Sequence, residues 1–185
     1  VAAALGLGEY TGIEITENKG RRANPDTKKE NYSGSDAYWY GADTVLAAIG
    51  QSENRFTPMQ LCNYTCALAN RGTRYRATFM NRVISSDYQS LIQENQPEVV
   101  AQLNIPDDAY YAIVEGMHMT TTWGAGTSYG LYHNYPIAVC TKSGTAQHGS
   151  GGSDHASFVI FAPKDDTQIA IAIYLEKGGQ GGNLG

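Results

Sequence analysis

Three apolar runs near the end of the chain constrain the fold more than any other feature. IAVCTKSGT, ASFVIFAP and QIAIAIYLEK carry strand-like patterns, and only the turn-rich GSGGSD and PKDD separate them. Connections this short join antiparallel neighbours, because a parallel return needs a crossover of about a dozen residues or more. The expected arrangement is an antiparallel meander over 137–145, 155–162 and 168–175, with 138–145 exposed toward a cleft. Helical patterns precede it. The fold class is therefore α/β of the α+β type, an antiparallel sheet packed with helices.

The strongest helix is TPMQLCNYTCALANRG. Thr57 fits its N-cap, Pro58 its first turn and Gly72 the position just past its end. Met59, Cys62, Cys66 and Ala69 form one stripe, widened by Leu61, Thr65 and Leu68, and Arg71 sits where a cation suits the helix dipole. PDDAYYAIVEGMHMTTT (106–122) predicts a second helix, with Ala109, Ile113, Met117 and Thr120 at helical spacing. Gly116 costs that helix about 1 kcal/mol relative to alanine, an indication of close packing. Elsewhere the patterns are weaker. Residues 1–44 read as a short opening helix and a long surface excursion, and Asp43 or Thr44 caps a brief helix through Ile49. FMNRVIS (79–85) reads as a strand, and LIQENQPEVVAQLNI as a loosely structured crossing.

With 185 residues, 42% of them hydrophobic and 17% charged, the chain can bury one core. Its formal charge of -5 argues against nucleic acid, because the one basic run, KGRRANPDTKK (19–29), is short and followed by acids. No stretch of eighteen apolar residues occurs, and no signal peptide opens the chain. The 21 glycines and 13 tyrosines point to many turns and to amphipathic rings that suit an extended polar ligand. Cys62 and Cys66 lie one above the other on a helix, but no nearby His or third Cys completes a metal set. They read as small apolar fillers.

The most legible chemistry lies at TKSGTAQ (141–147). Strand alternation sends Ile137, Val139 and Thr141 one way and Ala138, Cys140 and Lys142 the other, and Ser143 and Thr145 share a side. Gly144 removes a side chain where something must approach the backbone. A free strand edge pairs with extended peptide, and a lysine with hydroxyls beside it holds a carboxylate. The residues alone leave two readings open, such a substrate-binding edge and a polar patch at a strand end. A phosphate loop is excluded, because Lys142 precedes the glycine and a strand follows. His118, His133, His155, Trp39 and Trp123 read mainly as structural residues. Glu53 has no partner that would make it an acid or base.

TKSGTAQ, followed by HASFVIFAPKDD and IAIAIYLEKGGQGG, resembles the C-terminal part of the transpeptidase domain of penicillin-binding proteins, most closely the class B, monofunctional kind. AIGQSENRFTPMQLCNYTCALANRGTRY is similar to the family's Ile-Gly-Gln and Thr-Pro-Leu-Gln stretch, with Met59 in place of leucine. LGLGEYTGIEI and the Gly126-Thr127 pair match in the right order, so the resemblance covers nearly the whole chain. Ser143 stands where threonine is commoner and keeps the hydroxyl.

The resemblance implies the β-lactamase/transpeptidase-like fold and a serine acyl-transfer reaction on peptidoglycan stem peptides, inhibited by β-lactams. The family's nucleophile belongs to Ser-x-x-Lys and its second motif is Ser-x-Asn. Ser-x-x-Lys does not occur here, and the one Ser-x-Asn triplet, Ser52-Glu53-Asn54, follows LGLGEYTGIEI, whereas in the family both motifs precede that segment. Residues 1–185 therefore read as the distal part of one transpeptidase domain, with the nucleophile-bearing part and the C-terminal helix outside it and the fragment inactive alone. Lys142, Ser143 and Thr145 are the expected catalytic residues; Gly144, Gln147 and His148 are expected to border the substrate. Lys142 would supply positive potential, Ser143 and Thr145 would hold the substrate carboxylate, and the Thr145 N–H would form half of an oxyanion hole. No zinc, nucleotide or flavin is implied, and no other cofactor. Implied partners are stem peptides, β-lactams, the N-terminal part of the same domain and a cell-wall synthesis complex. The parent would sit in the cell membrane with this domain on the extracytoplasmic side. Alternatives are a D,D-carboxypeptidase, a β-lactam-sensing receptor, or a noncatalytic cell-wall scaffold or binding module.

Overall fold

The computed structural model describes residues 1–147 and 152–184, with the side chains of Asn183 and Leu184 excepted. The three terminal runs form the expected meander. β5 (Cys140–Ala146), β6 (His155–Ala162) and β7 (Ile169–Leu175) pair antiparallel in that order, with Gly144 opposite Ser157 and Phe158 opposite Ile173. β5 is an edge strand of this sheet. It starts later than the pattern predicts, and Val139, Cys140 and Thr141 are buried rather than exposed toward a cleft. The reason is helix α4 (Asp107–Thr122), which packs along that stretch and leaves only the end from Lys142 onward open.

The two main helices also form. α3 (Pro58–Ala69) begins at Thr57, whose hydroxyl accepts the Gln60 N–H at 3.2 Å while Gln60 Oε1 accepts the Thr57 N–H. Past its end, Gly72 has φ +88, and a Cβ there would lie 2.0 Å from the Leu103 carbonyl oxygen. The predicted apolar stripe is only half the story, because Gln60, Asn63 and Ala67 on other faces are buried too. Gln60 Nε2 donates to the Glu9 and Lys19 carbonyls, each at 2.7 Å, and Asn63 Nδ2 to Tyr75 O at 3.0 Å. Polar side chains thus fasten irregular backbone to the helix, which satisfies groups that burial would otherwise leave unpaired.

α4 (Asp107–Thr122) buries Tyr110, Val114, Met117 and Thr121, one position displaced from the predicted stripe for all but Met117. Ile113 is exposed, and a Cβ at Gly116 would meet nothing within 4 Å, so that glycine does not mark close packing. Leu68, Tyr110, Val114, Met117, Cys140 and Phe161 make the core, joined by Val159 and Ala170. Arg71 bridges the two helices: it pairs with Asp107 at 2.7 Å, donates to the Tyr111 hydroxyl and lies 4.4 Å from the Tyr110 ring centroid. On β7, Ala170 packs on this core, whereas Ile169, Ile171 and Ile173 are exposed.

The weaker patterns fare differently. Residues 2–8 form successive turns and no helix, because Gly6 and Gly8 adopt φ +98 and +69. The expected excursion contains α1 (Pro25–Asn31), capped by Asn24, which accepts the Asp26 and Thr27 N–H groups at 2.9 Å. α2 (Gly41–Ala48) starts earlier than expected; Asp43 lies in its first turn and accepts the Tyr40 N–H at 2.7 Å. The loosely structured crossing is two strands. β3 (Leu91–Glu94) closes a hairpin with β2 (Arg82–Ile84), and β4 (Val99–Gln102) pairs with β1 (Thr73–Tyr75).

Candidate active site

The free edge of β5 divides into two halves. The carbonyl of Val139 accepts the Thr121 hydroxyl at 3.0 Å and approaches His118 Nδ1 at 3.2 Å; that of Thr141 lies 3.3 Å from the Thr120 hydroxyl oxygen. Thr141 Oγ1 in turn bonds to Thr120 and donates to Ser128 Oγ at 3.0 Å. α4 therefore closes the first half with hydroxyl groups. Further on, the Ser143 carbonyl accepts the Lys142 ammonium, and the Thr145 carbonyl accepts Gln51 Nε2 at 3.2 Å from 94 residues away. All four carbonyls face groups other than β6. In an antiparallel ladder the N–H and C=O of one residue point to the same side. The N–H groups of Ser143 and Thr145 consequently face the open half of the edge.

Lys142 and Ser143 border a cleft of about 320 Å³ whose other wall is α4 and the turn after it, including Thr120, Trp123, Gly126 and Thr127. Lys142 is exposed there and Ser143 half-buried. Thr145 is exposed, and its hydroxyl accepts the Gly181 N–H at 3.0 Å. The close approach at Gly144 comes from within the protein, since a Cβ would sit 2.4 Å from Ser157 Oγ. Gln147 lies exposed just beyond the strand, and His148 falls outside the described residues. Thus β5 brings Lys142, Ser143, Gly144 and Thr145 together at one edge. Gln51, Ser157 and Gly181 join them without having been singled out as site residues. Each lies in a stretch that carries the family resemblance, Gln51 ending Ile-Gly-Gln, Ser157 in HASFVIFAPKDD and Gly181 in GGQGG.

The remaining candidates are engaged structurally. His118 braces β5. His133 stacks on Tyr129 at 4.6 Å, and its Nδ1 contacts the Tyr129 carbonyl. His155 Nδ1 accepts the Lys177 N–H at 3.1 Å and its ring lies over Tyr174. Trp39 donates to Thr44 Oγ1 at 2.8 Å, while Trp123 is 62% exposed and lines the cleft instead of anchoring backbone. Glu53 pairs with Arg21 at 3.1 Å and accepts the Tyr32 hydroxyl at 2.7 Å. Burial pushes the Cys140 thiol up to about 12. Cys66 is also raised, by the neighbouring Cys62 thiol and by burial, so neither is a ready nucleophile. Among the described residues no cluster of three or more His, Cys, Asp or Glu could hold a metal ion.

The family model for the penicillin binding protein transpeptidase domain matches residues 2–184. The peptidoglycan D,D-transpeptidase MrdA of Escherichia coli K12 is 28% identical over 98% of this chain and 30% of its own length. Two solved structures superpose well. Pseudomonas aeruginosa PBP2 in complex with WCK 5153 has a TM-score of 0.79 and 26% identity, covering 98% of this chain and 38% of that one. Helicobacter pylori PBP2 in complex with MreC has a TM-score of 0.76 and 25% identity, covering 98% and 32%. The chain thus spans about a third of each relative. The order of its motifs, its antiparallel sheet and its helices agree with that match, and the chain belongs to the penicillin-binding protein transpeptidase domain family.

Proposed function

We propose that this chain is the distal part of a peptidoglycan D,D-transpeptidase domain. It supplies the strand that receives the substrate, while the nucleophilic serine lies outside residues 1–185. The observation that carries this reading is the open half of β5, where Lys142 and Ser143 line the cleft and Thr145 follows, exposed, on the same strand edge. The hydroxyls suit a carboxylate, and the Thr145 N–H suits one side of an oxyanion hole. Such a donor contributes about 3–4 kcal/mol when aimed at charge that develops in the transition state. Lys142 supplies positive potential to the reacting centre. In the reaction the serine oxygen attacks the D-Ala-D-Ala carbonyl and D-alanine leaves. The amine of a second stem peptide then takes the acyl group, so one difficult transfer becomes two easier steps. β-Lactams acylate the same serine.

The parent protein, on this reading, sits in the cell membrane with the domain on the extracytoplasmic side. Stem peptides, β-lactams, the N-terminal part of the domain and a cell-wall synthesis complex are its partners, the last supported by likeness to the protein solved with MreC. The test is Lys142→Ala and Lys142→Arg in the complete protein. Alanine is expected to slow serine acylation by penicillin strongly without lowering the melting temperature. Arginine should recover part of the rate, because it keeps charge without the compact ammonium. Equal rates in all three proteins would remove Lys142 from the reaction. The isolated chain should form no adduct with a fluorescent penicillin, and a stoichiometric adduct on any of its serines in an intact-mass spectrum would overturn the division of the domain.

A further inference from the structure

We propose that Gly181 is a positioning residue for Thr145, fixing its hydroxyl as a hydrogen-bond donor toward the substrate carboxylate. The proposal rests on the reading that Thr145 binds that carboxylate. It starts from the end of the chain, where GGQGG leads into a 3-10 turn over Gly181–Leu184 that packs across β6 and β5. There the Gly181 N–H reaches Thr145 Oγ1 at 3.0 Å. A backbone N–H only donates, so the hydroxyl oxygen is the acceptor in this contact. Its single hydrogen is thereby directed elsewhere. Thr145 is exposed, so a ligand can receive that hydrogen, and the contact also holds one side-chain rotamer.

The approach requires glycine. A Cβ at 181 would lie 2.1 Å from Gly144 O and 2.9 Å from Ser157 O, both backbone atoms that cannot turn aside. Gly144, Ser157 and Gly181 therefore form one close-packed crossing directly behind Thr145. The segment reaches the hydroxyl because none of its atoms extends past the main chain at this point. Thr145 would in this way be set from behind by a segment 36 residues downstream.

The experiment compares acylation of the complete protein by benzylpenicillin and by its methyl ester, which lacks the anionic carboxylate. Wild type, Gly181→Ala, Thr145→Val and the double variant are measured. Thr145→Val should abolish most of the preference for the acid. Gly181→Ala should lower that preference about three- to ten-fold, the effect of one hydrogen bond, and should have no further effect on it in the Thr145→Val background. A Gly181→Ala loss that is equal for acid and ester, or that persists in the Thr145→Val background, would overturn the proposal. An unaltered preference in Thr145→Val would instead remove the carboxylate reading itself. Should Gly181→Ala not fold, amide hydrogen exchange decides. Exchange at Gly181 is expected to accelerate in Thr145→Val and to stay slow in Thr145→Ser; unchanged exchange in the valine variant would refute the contact.

Discussion

Replacing Gly144 by alanine would set a methyl group 2.4 Å from Ser157 Oγ, about 1 Å inside the 3.4 Å at which ordinary contact begins. Overpacking of this size costs about 1–3 kcal/mol. The cost should fall in the lower half of that range, because the serine hydroxyl can turn to another rotamer. The next neighbours of the new methyl are Ser157 Cβ at 3.8 Å and Ser157 O at 4.0 Å, both comfortable distances. In a Ser157→Ala background the clash therefore disappears. Gly144 does not have a positive φ, so alanine fits its backbone and restrains the unfolded chain, a gain of about 0.5 kcal/mol. The same substitution should thus destabilise the wild type by about 0.5–1.5 kcal/mol and slightly stabilise the protein that lacks the Ser157 hydroxyl. Urea unfolding of the four proteins measures this, with thermal melting as a second probe. If Gly144→Ala costs as much in the Ser157→Ala background as in the wild type, the hydroxyl is not what demands glycine, and the packing account fails.

Other outcomes follow from other contacts. Gln60→Leu leaves the Glu9 and Lys19 carbonyls without their buried donor and should cost about 2–4 kcal/mol; a change within about 0.5 kcal/mol in urea unfolding would contradict this. The Thr78 hydroxyl and the Phe79 N–H hold Glu14 down to about 2 from 4.5. A lowered carboxylate pKa stabilises above the unfolded value and ceases to do so as pH falls through the folded one. Protection of the Phe79 amide, corrected for intrinsic exchange, should therefore decline as pH falls from 4.5 toward 2, and a flat profile would refute the contact. Cys140, fully buried with its thiol pushed up to about 12, should resist alkylation until the protein unfolds, whereas Cys62 should react first. Peptide mapping by mass spectrometry that finds both modified equally fast would overturn that order.

The meander was readable because its connections are short and its strands carry their own pattern. The helix from Pro58 was readable because cap, proline and terminal glycine all lie within it. What escaped depends on partners remote in sequence. β1 and β4 are strands only through each other, and their short runs carry little signal alone. The face of α4 was misjudged because Tyr110 and Val114 are selected by the β5 and α3 surfaces they meet, while Ile113 fits the helical period equally well. At the site, Lys142, Ser143 and Thr145 were legible as a motif on one strand. The glycine at 144 was legible as a close approach, but its neighbour was not. Gln51 and Gly181 act through an amide group and a main-chain N–H, and no local pattern announces either at β5.

The hydroxyl groups that α4 lays along β5 have a further consequence. A bare strand edge invites any other strand to extend the sheet, which is how soluble domains begin to polymerise. Here the hydroxyls of Thr121 and Thr120 already cover the carbonyls at Val139 and Thr141. The carbonyls of Ser143 and Thr145 accept Lys142 and Gln51, so an incoming chain can pair with little more than the N–H groups of those two residues before it runs into the helix. That length accommodates the end of a short peptide and is too brief to seed a lengthening stack of strands. One helix thus lets the edge be sticky at its tip and inert along its shaft.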